Sequence, residues 1–168
     1  MPLSLHRASV PVFLRALGLL STLLDKAAAH AEAGGTDPAE LIGARLAPDM
    51  YPLSRQIQAA SDAAKSGAAR LSGRAIPSFP DVETTFPELQ ERIAKTIAFL
   101  GGIGEDEIAD DAARPITLTL RGTPVTFRAD DYLLTFALPN FFFHVTTAYD
   151  ILRHKGLAIG KMDFLGPR

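Results

Sequence analysis

Residues 130–156 read DDYLLTFALPNFFFHVTTAYDILRHKG, and the fold follows from how this stretch winds. Asp130 or Asp131 supplies a helix cap and Gly156 a stop. Between them apolar side chains recur at three- and four-residue steps. Wound at about 100° per residue, Leu134, Leu138, Phe141, Val145, Ala148 and Leu152 form one apolar face. Tyr132, Phe136 and Phe143 fall on nearly the opposite side. A helix with aromatics on both sides is covered on both sides. Either a β-hairpin of the same chain or a partner subunit could provide the second cover, because large exposed aromatic patches are unusual on monomers. Pro139 should kink the helix and shift the phase between its halves.

Three more long helices precede it. The first spans residues 5–32, with Val10, Phe13, Leu14, Leu17, Leu20, Leu24 and Ala28 on one stripe. Pro11 either bends it or marks its true start. Asp37-Pro38-Ala39-Glu40 opens a short helix, with Asp37 as cap and proline in the first turn. The second long helix covers residues 52–72. Its inner edge, Ile57, Ala60, Ala64 and Leu71, is rich in small residues, so a neighbour can pack close. The third covers 86–101, opened by a Thr85/Glu88 capping box, with Phe86, Leu89, Ile93, Ile97 and Leu100 on one face.

The acidic segment 105–111 reads as a turn or short helix. The period then changes. Ile116, Leu118 and Leu120 alternate with Thr117 and Thr119, and Val125 and Phe127 alternate again after a turn at Arg121-Gly122-Thr123. The pattern predicts a hairpin over 115–128 that covers one side or end of the bundle. The expected fold is therefore mainly α, a four-helix bundle with a small β-hairpin before the last helix, in one domain over residues 1–168.

Composition narrows the function classes. Net charge is −2 with no basic face or tail, which argues against nucleic acid as a partner. The chain has no cysteine, which excludes disulfides, thiolate metal sites and cysteine nucleophiles. At the N-terminus Arg15 interrupts the apolar stretch, and Asp25 and Lys26 precede its small residues, so an amphipathic helix is expected there and not a signal peptide. With no uninterrupted apolar run of about 18 residues, no membrane span is expected. The expected compartment is the cytoplasm.

There is no Gly-rich phosphate loop, serine elbow or zinc-protease motif. His144 lies at the edge of the last helix's core face, and helical bundles build ligand and metal sites in their interiors. The position one turn on is Ala148, so His144 is at best a lone metal ligand from this helix. Tyr149 also borders the core face, and Gln56, Gln58 and Asp62 are the polar residues of the second helix. The expected pocket is His144 and Tyr149 facing Gln56. Asp150 and His154 are spaced i, i+4 and form the alternative metal pair, on the side away from the core.

Three stretches carry a family resemblance: LHRASVPVF at 5–13, RLAPDMYPL at 45–53 and LPNFFFHVTTAYDILRH at 138–154. They resemble an uncharacterised bacterial family, catalogued as a domain of unknown function and grouped with the DinB/YfiT-like four-helix bundles. The resemblance covers nearly the whole chain. It implies a four-helix bundle, commonly a homodimer, in a group often called metalloenzymes. Some members bind a divalent metal, such as zinc or nickel, through three histidines; some are thiol-dependent transferases or isomerases. In that group one ligand stands on the second helix and a histidine pair on the last. His154-Lys155-Gly156 resembles the usual ending, which would place Asp150 at the other pair position. The second helix has no histidine and the three-histidine set is absent. The reading that results is a bundle that binds a small molecule or partner and has a degenerate metal site. The alternative is a divergent metal-dependent or thiol-dependent transferase or isomerase acting on a small molecule.

Overall fold

The computed structural model describes residues 3–166. Helix α1 is Leu5–Glu32, α2 Pro38–Gly43, α3 Leu53–Ser72 and α4 Phe86–Gly101. A single 3₁₀ turn at Glu105–Glu107 leads to strands β1, Pro115–Leu120, and β2, Thr123–Arg128. The last long helix, α5, is built of three consecutive pieces. They are one turn at Ala129–Asp131, a π-helical stretch Tyr132–Ala137 and an α-helix Leu138–His154. A short α6, Lys161–Leu165, closes the chain against α1.

Each boundary has a local cause. The Ser4 hydroxyl accepts from the Arg7 amide and starts α1 at Leu5, so Pro11 lies inside the helix and does not mark its start. Thr85 and Glu88 form the expected capping box of α4, the Glu88 carboxylate accepting from the Thr85 amide at 2.9 Å. Gly73, at φ 76°, ends α3 in a left-handed cap. By length and composition α1 is apolar enough to cross a membrane. Its apolar stripe lies in the bundle core instead, with Phe13, Leu17, Leu20 and Leu24 fully buried.

The hairpin registers Ile116 against Phe127 and Leu118 against Val125. Arg121 and Gly122, at φ 49° and 84°, form its two-residue turn, one residue shorter than expected. The buried Ile116 and Leu118 face the bundle. The Phe127 ring lies 6.2 Å from that of Tyr132 and 5.8 Å from that of Phe136.

That contact settles one expectation, and the same helix corrects another. Tyr132, on the face for which either the hairpin or a partner subunit was the expected cover, is 1% exposed and covered by its own hairpin. Phe136 is half-buried beside it, and only Phe143 of the three stands out, at 57% exposure. Leu134, expected in the core, is exposed, while Leu133 and Ala137 are buried in its place. The cause is the π-helical stretch ahead of Pro139. Proline has no amide hydrogen for the helical ladder, and the wider turn before it takes up an extra residue. The inward face therefore runs Leu133, Ala137, Phe141, Val145, one position out of phase with a regular helix upstream of the proline.

Among the long helices, α3 packs most extensively against α5. Its small residues allow the approach: a Cβ on Gly67 would stand 3.1 Å from the Phe13 ring and 3.5 Å from the Ala137 Cβ. Phe13 in turn packs edge-on to Phe141, with ring centroids 5.0 Å apart. Gly67→Val should therefore force α3 off α5 and destabilise the fold by about 2 kcal/mol or more. Gly43→Val, at a helical glycine with open space, should leave stability about unchanged or slightly raised, because valine is the better helix former. Urea unfolding monitored by circular dichroism checks the contrast.

Candidate functional site

The antiparallel α3 and α5, with the inner edge of β1, enclose a cleft of about 360 Å³. Its α3 wall is Arg55, Ala59, Asp62, Ala63, Ser66 and Arg70; its α5 wall is Tyr132, Phe136, Ala137, Asn140 and His144. Tyr51 closes the end near His144, and Leu118, Thr119 and Leu120 form the strand side. A larger groove, about 490 Å³, runs between α1, α2 and the start of α4. Much of its polar equipment is engaged: Asp25 accepts from Gln90, Asp37 caps α2, and Thr84 and Thr85 bond to Glu88. The smaller cleft holds the convergent polar groups and the histidine, and is the candidate site.

His144 is the centre of one end. Its Nδ1 lies 2.7 Å from Oε1 of the buried Gln56, whose Nε2 donates to the Tyr51 carbonyl at 3.2 Å. Because the amide nitrogen of Gln56 is committed to a carbonyl, its oxygen faces the imidazole. Nδ1 is then the protonated nitrogen and donates, which leaves Nε2 with its lone pair. Burial pushes the His144 pKa down, and the nearby Arg55 charge pushes the same way. The Tyr51 ring lies nearly parallel to the imidazole, at 14° and 6.4 Å. The Arg55 guanidinium sits 5.4 Å from the Tyr51 ring centre.

A buried ionic cluster backs the α3 wall. The Arg92 side chain, 1% exposed, meets Asp62 at 2.8 Å, Asp81 at 3.0 Å and Glu83 at 3.1 Å, and also donates to the Pro80 carbonyl. Lys65 pairs with Asp62 at 2.8 Å, and Arg55 pairs with Asp81. Gln58 donates to Glu83 at 2.9 Å. Burial pushes the Glu83 pKa up, but hydrogen bonds from its own backbone, Arg92 and Gln58 outweigh it and hold it below the usual carboxylate range. Gln58 is thus buried in a salt-bridge network, and Asp62 joins that network to the cleft.

The structure divides the expected pocket. His144 and Gln56 meet directly. Tyr149 does not join them: its ring packs edge-on to Phe164 at 5.8 Å and lines a separate shallow groove with Thr146, Asp150 and Lys161. Asp150 and His154 are exposed and lie outside the cleft. Among the described residues no three histidine or acidic side chains gather as metal ligands. The oxygen of Gln56, the nearest second-helix group to His144, is already occupied by the imidazole. The residues present do not fit the three-histidine metal centre that the resemblance implies.

Sequence reasoning passed over Arg55, Ser66, Arg70 and Asn140. A signal was available. Arg55, Asp62, Ser66 and Arg70 recur with Ala59 and Ala63 at three- and four-residue steps, a polar-and-alanine stripe beside the core stripe of α3, and Asn140 stands one turn before His144.

A four-helix bundle with a hairpin packed beside its last helix, and a histidine–glutamine contact across two antiparallel helices, defines the class of protein. The chain belongs to the DUF1993 family, a domain of unknown function whose sequence profile matches residues 5–165. A solved DinB family member protein from Shewanella denitrificans is 40% identical to it. That likeness covers 98% of this chain and 93% of the other, with a TM-score of 0.88. No curated protein matches the chain.

The lowered pKa of His144 makes a pH prediction with a definite sign. The unfolded chain takes up a proton near the ordinary value of about 6.5, and the folded imidazole only at lower pH. The stability this group contributes is full above about pH 6.5 and is lost as pH falls through the folded value. Melting temperatures of wild type and His144→Gln, taken from pH 8 downward, should diverge in their pH dependence in that window. The variant curve should be the flatter one.

Proposed function

We propose that the protein binds a small molecule in the cleft between α3 and α5, as a DinB-like bundle whose metal site has degenerated. One observation carries the reading. The His144 imidazole is neutral, fixed at Nδ1 by a buried glutamine, and borders a cleft large enough for a small ligand. Bound small molecules commonly occupy cavities of about 300–1,000 Å³ with a few convergent polar groups, and this cleft lies in that range. A second reading, a metal-dependent or thiol-dependent transferase or isomerase, is favoured by one feature of the same site. A neutral imidazole with an unprotonated Nε2 suits a general base. The chain has no thiol of its own, so any thiol would come with a co-substrate. Zinc or nickel has little support, given the ligand geometry.

Untagged protein should contain no stoichiometric zinc or nickel by elemental analysis. Small-molecule fragments that bind should shift the imidazole ¹⁵N resonances of His144. Those shifts should be lost in Gln56→Leu and unchanged in His154→Ala. Stoichiometric metal that disappears with His154→Ala would support the metalloenzyme reading instead.

We propose a homodimer in the cytoplasm as the working form. Exposed Phe143 and Leu134 support the assembly, since each is more than half exposed on the outer side of α5. Light scattering at micromolar concentration should give twice the chain mass, and Phe143→Lys should shift it toward the monomer.

A further inference from the structure

We propose that the ligand of the α3–α5 cleft is an organic carboxylate, held by Arg70 and the Tyr132 hydroxyl at the end of the cleft remote from His144. This deepens the small-molecule reading and rests on it.

The charges along the cleft walls pair off, with one exception. Arg55 is paired with Asp81. Asp62 is shared between Lys65 and Arg92, and the buried Arg92 has two further carboxylates. Arg70 is different. Its Nη1 makes only a long contact of 3.5 Å to the Ser66 carbonyl and one of 3.3 Å to the Tyr132 hydroxyl, both neutral acceptors. Among the described residues no carboxylate pairs with it. A half-buried guanidinium without a counter-anion is costly, and a ligand that supplies one is favoured.

Tyr132 strengthens the site. Its oxygen accepts from Arg70, so its own hydrogen is available to a second acceptor. Burial pushes its pKa up, outweighing Arg70, so the phenol keeps that proton at neutral pH. Arg70 and Tyr132 thus offer adjacent donors, the arrangement that suits a carboxylate. Between the two ends Ala63, Phe136, Ala137 and Leu120 supply apolar wall, interrupted by Ser66, Asp62 and Thr119. At the far end stand Asn140 and the Nε2 of His144. Along α5, Tyr132 and His144 are about three helical turns apart, less than about 18 Å because the π-helical stretch is wider and rises less per residue. The site is therefore a slot and favours an elongated ligand. A carboxylate head, an apolar body and a polar far end match it.

The test uses 3-phenylpropanoate and its neutral isostere 3-phenylpropanamide, followed by ¹H–¹⁵N NMR at the Arg70 guanidinium and the His144 imidazole. The acid should bind at least about tenfold more tightly than the amide, the size of one charge-assisted hydrogen-bond pair. Arg70→Gln should erase the preference and Tyr132→Phe should reduce it, with the circular-dichroism spectrum unchanged in both. Arg70→Lys, which keeps the charge without the fork, should retain part of it. Equal binding of acid and amide at these resonances, or a preference that survives Arg70→Gln, overturns the carboxylate assignment and leaves the cleft reading standing. If neither probe at millimolar concentration moves either resonance, the cleft reading fails with it.

Discussion

The Phe13 ring is where three of the four long helices meet. It comes from α1, packs edge-on to Phe141 of α5, and lies over Gly67 of α3. The ring fits closely there because α3 presents no side chain at that point; a Cβ on Gly67 would crowd it at 3.1 Å. Since packed interiors tolerate little added volume, the spacing of α3 and α5 is set by this contact. That spacing also fixes how far Gln56 stands from His144 and how wide the cleft opens beside them. Core packing and site geometry therefore share one determinant.

The ionic cluster around Arg92 is a second constraint, and of a different kind. Removing a guanidinium from water costs several kcal/mol, offset here by three carboxylates and a backbone carbonyl. Its Nε is buried with no partner, so the compensation is incomplete. Such a cluster adds little net stability but penalises any other arrangement of its members. Its members come from α3, α4 and the loop between them, so it ties that loop down beside Phe79, over whose ring Lys65 sits at 4.3 Å. It also engages Arg55 and Asp62 from behind, which leaves Arg70 as the cleft-wall cation without an acidic partner among the described residues.

The relation to the solved DinB family member is one of shared architecture. The helix order and hairpin are those of a fold shared closely with the Shewanella denitrificans protein. On α3 the Gln56 amide contacts His144 and fixes its tautomer. An amide in that place makes the imidazole a hydrogen-bonding group with a free Nε2.

The four long helices, the Thr85/Glu88 capping box and the hairpin were legible in the sequence, because each depends on neighbours a few residues apart. The cap expected from Asp130 or Asp131 is not formed, since the last helix already starts at Ala129 after Arg128. Thr85 with Glu88, and Gly73, act within one turn. The period change at Ile116 is equally local. His144 and Gln56 were also legible as facing groups, since both border core stripes on helices bound to pack together. Three things were not. The cover over Tyr132 and Phe136 was left open between hairpin and partner, because the wheel shows only that a face is apolar and not which segment packs over it. Leu134 read as core, because a regular wheel cannot register the extra residue that the π-turn before Pro139 absorbs. Tyr149 read as a neighbour of His144, although α6 returns along α1 to take up its ring at Phe164. Burial of Gln58 and the isolation of Arg70 were invisible for the same reason. Local chemistry is written in sequence spacing, whereas the partner of a charge or a ring is set by segments that meet only when the chain has packed.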